Sequence, residues 1–205
     1  MFVRTERLTL RPGWIEDAPE MAAAIGHESV VRNLARSPWP YTLSDAQAAI
    51  ERGFAGQPGP GFLIFAHDVG YRLVGGIGIG PFGEEPHELG YWLTPAAWGR
   101  GYATEAAQAV LALAETLGIR RVTAGHFIDN PASGAVLRRL GFVSTGAVVA
   151  TFSAGRGCAT DSVEYVRDRR ALAGEAPLTF DVLDAPPAVV APTANPLERL
   201  AITDG

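Results

Sequence analysis

Between residues 88 and 142 the chain carries one order of signals. An alternating segment, 88–93, runs into a glycine-rich turn and a long apolar-striped segment. A second alternating segment follows at 121–127, then Asn130-Pro-Ala-Ser133 and another apolar-periodic stretch ending at Gly141. The turn reads Trp98-Gly99-Arg100-Gly101-Tyr102-Ala103-Thr104. Gly99 and Gly101 have no Cβ, so the backbone can bend sharply there and approach a ligand closely. If a helix begins at Tyr102, the amides of residues 99–104 lack intrahelical acceptors and sit at the positive end of the helix dipole. That arrangement favours a diphosphate. The plain alternative is a glycine-rich turn that merely caps a core helix.

The remaining signals frame this unit. Residues 7–11 alternate with Leu8 and Leu10 inward and stop at Pro12, as a first strand does. Asp17 with Glu20, and Ser44 with Gln47, have capping-box spacing and predict helices ending near Gly26 and Gly53. Ser37-Pro-Trp-Pro-Tyr41 between them is irregular, because each proline removes a donor and restrains its predecessor. Residues 61–67 and 72–79 read as a hairpin around Asp68-Val-Gly70. Residues 102–117 form the clearest helix, with Ala103, Ala107, Val110, Ala114 and Leu117 on one stripe and Gly118 as its stop. Residues 133–140 form the last helix, and 142–151 and 162–168 a final hairpin around Gly155-Arg-Gly157. The expected fold is α+β, with a mixed seven-stranded sheet and about four helices. Gly75-Gly-Ile-Gly-Ile-Gly80 looks like a dinucleotide loop but leads into no helix, so it reads as a strand with bulges or close backbone approach.

Size and charge bound the function. At 205 residues the chain fits one domain with an appendage, residues 1–170 and a tail of 171–205. The tail holds five acids against one base, Arg199, and its five prolines break any long element. Its apolar residues Leu178, Phe180, Val182, Leu197 and Leu200 predict an arm packed along its own domain or across a second copy of a homodimer; a mobile linker is the alternative. No apolar run approaches the ~18 residues of a membrane span, and the start lacks a signal peptide's apolar region. A soluble cytoplasmic protein without membrane attachment is expected. The single cysteine, Cys158, excludes an internal disulfide and offers no metal cluster. No basic stripe marks a nucleic-acid partner. All seventeen basic residues are arginine, which we read as coding bias.

The run Trp98-Gly-Arg-Gly101-Tyr-Ala103-Thr-Glu-Ala, with Glu88-Leu-Gly-Tyr-Trp-Leu93, Asn130-Pro-Ala-Ser133 and Leu140-Gly-Phe142, resembles the GNAT acyl-CoA N-acyltransferases, and within them the RimJ/RimL-like branch. Gly101 and Ala103 match the family's Gln/Arg-x-x-Gly-x-Gly/Ala signature, while Trp98 replaces its Gln/Arg, as is usual in that branch. The resemblance implies acetyl transfer from acetyl-CoA, as co-substrate and without a metal, to a primary amine by direct attack in a ternary complex. It implies that Trp92, Leu93 and Thr94 hold the pantetheine amides, that Gly99, Arg100, Gly101, Tyr102, Ala103 and Thr104 hold the pyrophosphate, and that Asn130 holds the arm. Ser133 approaches the thioester sulfur in such enzymes. Many also place a tyrosine four residues before the Gly of Gly-Phe to protonate the thiolate; here Leu137 stands there, so Ser133 is left as acid or as mere helix cap. Glu88 is the candidate base, because an amine arrives mostly as ammonium and must lose a proton. His87 and His126 compete with it, although alternation turns His87 away from Glu88. Tyr91, Trp92 and Trp98 read as core or pocket-wall aromatics. Transfer of a larger acyl group such as succinyl, and a non-catalytic acyl-CoA sensor, are the alternatives.

Overall fold

The computed structural model describes residues 1–54, 60–169 and 182–183. Its strands are β1 (Phe2–Arg4), β2 (Leu8–Arg11), β3 (Gly61–Ala66), β4 (Arg72–Phe82), β5 (Glu85–Leu93), β6 (Arg121–Phe127), β7 (Val143–Ser153), β8 (Cys158–Asp168) and β9 (Val182–Leu183). Its α-helices are α1 (Ala18–Ile25), α2 (Glu28–Val31), α3 (Leu43–Phe54), α4 (Tyr102–Thr116) and α5 (Pro131–Arg139). The strands form one sheet in the order β7-β8-β6-β5-β4-β3-β2-β1-β9. All pairs are antiparallel except β5 with β6, which register in parallel at Glu88↔Thr123 alone among the described residues. The α+β class with a mixed sheet is as expected. The short strands β1 and β9 and the single-turn α2 add to the seven strands and four helices, being too brief to show a period. The expected arm of residues 171–205 lies outside the described residues apart from Val182 and Leu183.

Burial explains the layers. One face of the sheet packs against α4, whose Tyr102, Ala106, Ala107, Ala109, Val110, Leu113 and Ala114 are buried against Leu8, Leu10, Ile64, Ile77 and Leu89. Small alanines let the helix lie close on the strands. On the other face α1 and α3 bury Ala18, Met21, Ala46 and Ile50 against Leu63, Phe65 and Leu73.

Both predicted capping boxes are replaced by other contacts. Asp17 makes no side-chain cap to α1; its carboxylate instead takes both Nη atoms of Arg11 at 2.7 Å and the Trp14 amide at 2.7 Å. Arg11 is itself sandwiched between the Trp14 and Phe65 rings, 4.1 Å from each centroid. A buried guanidinium needs this partner more than the helix needs a cap. Glu20 accepts the Leu73 amide at 3.1 Å. At α3 the reciprocal pair is Thr42 with Asp45: the Thr42 amide donates to Asp45 at 2.8 Å and the Asp45 amide to Thr42 Oγ1 at 3.3 Å. The glycine run of β4 is the close approach expected of it, since a Cβ at Gly75 or Gly76 would lie 2.3 or 2.6 Å from Trp92 atoms.

Candidate active site

The glycine turn has the conformation its sequence requires. Gly99 and Gly101 have φ of 73° and 81°, values that side chains disfavour. The first intrahelical bond of α4 runs from the Glu105 amide to the Gly101 carbonyl at 3.1 Å, so the amides of Tyr102, Ala103 and Thr104 precede the helix ladder. An ion-pair clamp fixes this turn to the start of the chain. Glu105 accepts Thr5 Oγ1 at 2.6 Å, the Arg7 amide at 2.9 Å and Arg7 Nε at 2.8 Å. Arg7 Nη1 donates to the Arg100 carbonyl at 2.9 Å, and its guanidinium lies 5.0 Å from the Tyr102 ring centroid. Burial works against the Glu105 carboxylate, but its bonds to Thr5 and Arg7 hold it below the usual carboxylate range.

Two cavities meet behind this turn. One, of about 480 Å³, is lined by Trp92, Leu93, residues 97–99, residues 101–104, Asn130 and Ser133. The other, of about 400 Å³, is lined by Arg36, Tyr41, Glu88, His126, Ser162 and Glu164 among others. Tyr91, Trp92, Asn130 and Ser133 line both. The junction exists because β5 and β6 stop pairing after Glu88 and Thr123. The Thr94 amide donates to Val74 at 2.9 Å, so alternation along an antiparallel pair turns Trp92 and Thr94 backbone toward β4 and Tyr91 and Leu93 backbone toward the gap. The Leu93 carbonyl is already taken by the Trp98 indole N–H at 2.9 Å.

At the junction, Asn130 caps α5, its Oδ1 accepting the Ser133 amide at 3.4 Å. Asn130 Nδ2 donates to Ser133 Oγ at 3.1 Å, which leaves the serine proton free to point elsewhere. The Tyr91 hydroxyl donates to the Ser133 carbonyl at 3.2 Å, and burial raises its pKa, keeping it a donor. Glu88 is pushed up to about 7, first by burial, then by the nearby Glu164 carboxylate, with Arg36 opposing. His126 Nδ1 lies 2.9 Å from the Phe127 carbonyl, which can only accept. The proton therefore resides on Nδ1, and Nε2 faces Gly134, buried and without a partner. His87 lines neither cavity. Among the described residues no group of three or more His, Cys, Asp or Glu could hold a metal ion.

Residues 7–143 match the acetyltransferase (GNAT) domain family. The chain belongs to that family. Membership makes it an N-acetyltransferase by class, with acetyl-CoA as donor. Its sequence is 28% identical over 153 residues to the uncharacterised N-acetyltransferase YoaA of Bacillus subtilis (strain 168), covering 71% of this chain and 84% of that one. Its fold is similar to that of a GNAT acetyltransferase from Bacillus anthracis, with TM-score 0.69, 24% identity and coverage of 83% and 99%. It is similar too to RimL, a ribosomal L7/L12 α-N-protein acetyltransferase solved with coenzyme A, with TM-score 0.68, 22% identity and coverage of 82% and 98%. A third is the microcin C7 self-immunity acetyltransferase MccE, solved with acetyl-CoA and AMP, with TM-score 0.67, 20% identity and coverage of 80% and 93%.

In this GNAT chain Leu137, at the position where many relatives carry a tyrosine, is buried in the core at 1% exposure. Tyr91 brings a hydroxyl to the same junction from β5 instead. Sequence reading took Tyr91 for a wall aromatic, because strand alternation gives the face of a residue and not the group across from it. Glu164 was missed altogether: no motif surrounds it, and only the β6–β8 pairing carries it to the cavity.

Proposed function

We propose that the protein transfers the acetyl group of acetyl-CoA to a primary amine, either a protein N-terminus or a small amine. The donor occupies the cleft beside residues 99–104, and the acceptor enters from the Glu88 side. The observation that carries this reading is the shared junction at Tyr91, Asn130 and Ser133, which line both the cavity beside residues 99–104 and the cavity that holds Glu88. The pyrophosphate lies against the amides of 99–104, and the pantetheine runs through the β5–β6 gap past Leu93 and Asn130. Glu88, with a carboxyl near neutrality, takes the ammonium proton directly or through water. The freed nitrogen attacks the thioester carbon, whose oxygen a backbone amide facing the gap polarises. As the C–S bond breaks, the departing thiolate takes the Ser133 hydroxyl proton. The extra proton on the acylated nitrogen is relayed through water back to Ser133, which leaves the neutral amide, the CoA thiol and an unchanged serine. Positioning supplies most of the remaining rate.

That RimL acts on a protein N-terminus supports an N-terminal acceptor without deciding it. A cytoplasmic location and a homodimer belong to the same reading. Thiol release from acetyl-CoA, measured across N-terminal peptides, polyamines and aminoglycosides, tests it. Amine-dependent release with one class is expected; release no faster than hydrolysis with all three would make the chain an acyl-CoA sensor.

A further inference from the structure

Glu164 lies on β8, away from every motif that carries the acetyltransferase reading. Register nevertheless brings it to Glu88. Glu88 on β5 stands opposite Thr123 on β6, and Gly125, two residues on, stands opposite Glu164 on β8. Residues opposite one another, and residues two apart, share a sheet face. Glu88 and Glu164 therefore project from the same face on either side of β6, and both line the acceptor cavity. On β6 the residue opposite Glu164 is a glycine, which adds no side chain there, and the residue opposite Glu88 is Thr123, whose hydroxyl is turned to the His87 carbonyl at 3.4 Å. A Cβ at Gly125 would lie 3.1 Å from Ser162 Oγ, so the Ser162 hydroxyl stands beside the glycine.

The other charged groups around this cavity are already engaged. Arg36 donates to the Pro81 carbonyl at 2.6 Å, and its guanidinium lies 5.0 Å from the Phe82 ring centroid. His126 Nδ1 is engaged with the Phe127 carbonyl, and its Nε2 is buried against Gly134 without a partner. Glu85, further along β5, is paired with Arg121 at 2.7 Å. Among the described residues lining the cavity, Glu88 and Glu164 are the two carboxylates, against the one guanidinium of Arg36. One arriving ammonium balances that set.

We infer that Glu164 is a second carboxylate of the acceptor site, a positioning residue that binds the incoming ammonium while Glu88 removes its proton. The inference rests on the proposed role of Glu88 and selects acceptors whose amine arrives as a cation, in preference to amines flanked by an acidic group. The proton balance is simple: R–NH3⁺ and the Glu88 carboxylate become R–NH2 and the Glu88 carboxylic acid, and Glu164 keeps its charge state across the step. The like charge of Glu164 also explains part of the upward displacement of Glu88.

The test uses the full chain with 13C-labelled glutamate carboxyls, followed by NMR. Ethylammonium chloride is the probe, and sodium chloride at equal ionic strength is the control. The wild type should show saturable ethylammonium-dependent shifts at both Glu88 and Glu164. Glu164→Gln should weaken that affinity roughly tenfold and lower the Glu88 titration midpoint by roughly half a unit. Glu164→Asp should restore part of both, and CoA affinity should be unchanged in each variant. Absence of saturable shifts in the wild type, or affinity within twofold of wild type in Glu164→Gln, overturns the inference. A separate arm isolates the underlying reading. If Glu88→Gln keeps the wild-type pH–rate profile while Glu164→Gln loses ethylammonium, then Glu88 is not the base and the ammonium site stands.

Discussion

At the scale of single residues, Glu88 joins the chemistry to the stability of the fold. The folded environment raises its carboxyl to about 7, so folding favours the protonated form. The stability linked to it is fully present below the unfolded carboxylate value and is lost as pH rises through about 7. Glu88→Gln should therefore be more stable than wild type at pH ~8.5, by about 1–3 kcal/mol in denaturant unfolding, with the difference shrinking as pH falls toward the ordinary carboxylate range. The same variant should lose about 10²–10⁴-fold in thiol release on the alkaline side, with acetyl-CoA affinity retained. Stability and activity thus move in opposite directions, which a merely structural glutamate would not produce. Ser133→Ala should cost about tenfold, less than Glu88→Gln, because water can supply its proton. A Ser133→Ala rate equal to wild type would reduce Ser133 to a partner of the Asn130 cap.

At the scale of elements, the clamp between the first residues and α4 sets the phosphate-facing turn. Glu105→Gln removes the charge that holds Arg7, and Arg7 holds the Arg100 carbonyl. CoA affinity by calorimetry should fall about tenfold, while the pH midpoint of the remaining activity stays where Glu88 puts it. Unchanged affinity would mean that the turn holds its shape by its glycines alone. Legibility in the sequence follows the same division. Gly99 and Gly101 were readable because a positive φ demands glycine, and α4 because its apolar stripe repeats over fifteen residues. Glu105 sits within the recognisable run, but its partners Thr5 and Arg7 are 100 and 98 residues away, and no local signal names them. The same holds for Asp17, whose capping spacing was real but whose carboxylate went to a buried arginine across a turn. Local periodicity reports which face is apolar; it does not report which polar group waits on the other side of the sheet.

At the scale of the whole molecule, the sheet is asymmetric at its ends. One edge is covered where β9 pairs with β1. The other is β7, exposed from Val143 to Ala150 and carrying exposed Val143, Val148, Val149 and Phe152. An open apolar edge favours pairing with another strand, and an antiparallel edge can pair with its own copy about a two-fold axis. For the proposed homodimer we place the contact on β7. Val148→Lys should halve the mass seen by light scattering and leave the melting temperature of the domain within a few degrees; a mass unchanged by the substitution would place the contact elsewhere.

The central claim is that donor and acceptor meet where the two cavities join. A crystal structure of the full chain with coenzyme A tests it most directly. The account predicts the pyrophosphate against the amides of residues 99–104, and the sulfur within hydrogen-bonding reach of Ser133 Oγ at the mouth of the Glu88 cavity. A pyrophosphate bound away from that turn, or a sulfur that never enters the gap between β5 and β6, would contradict it.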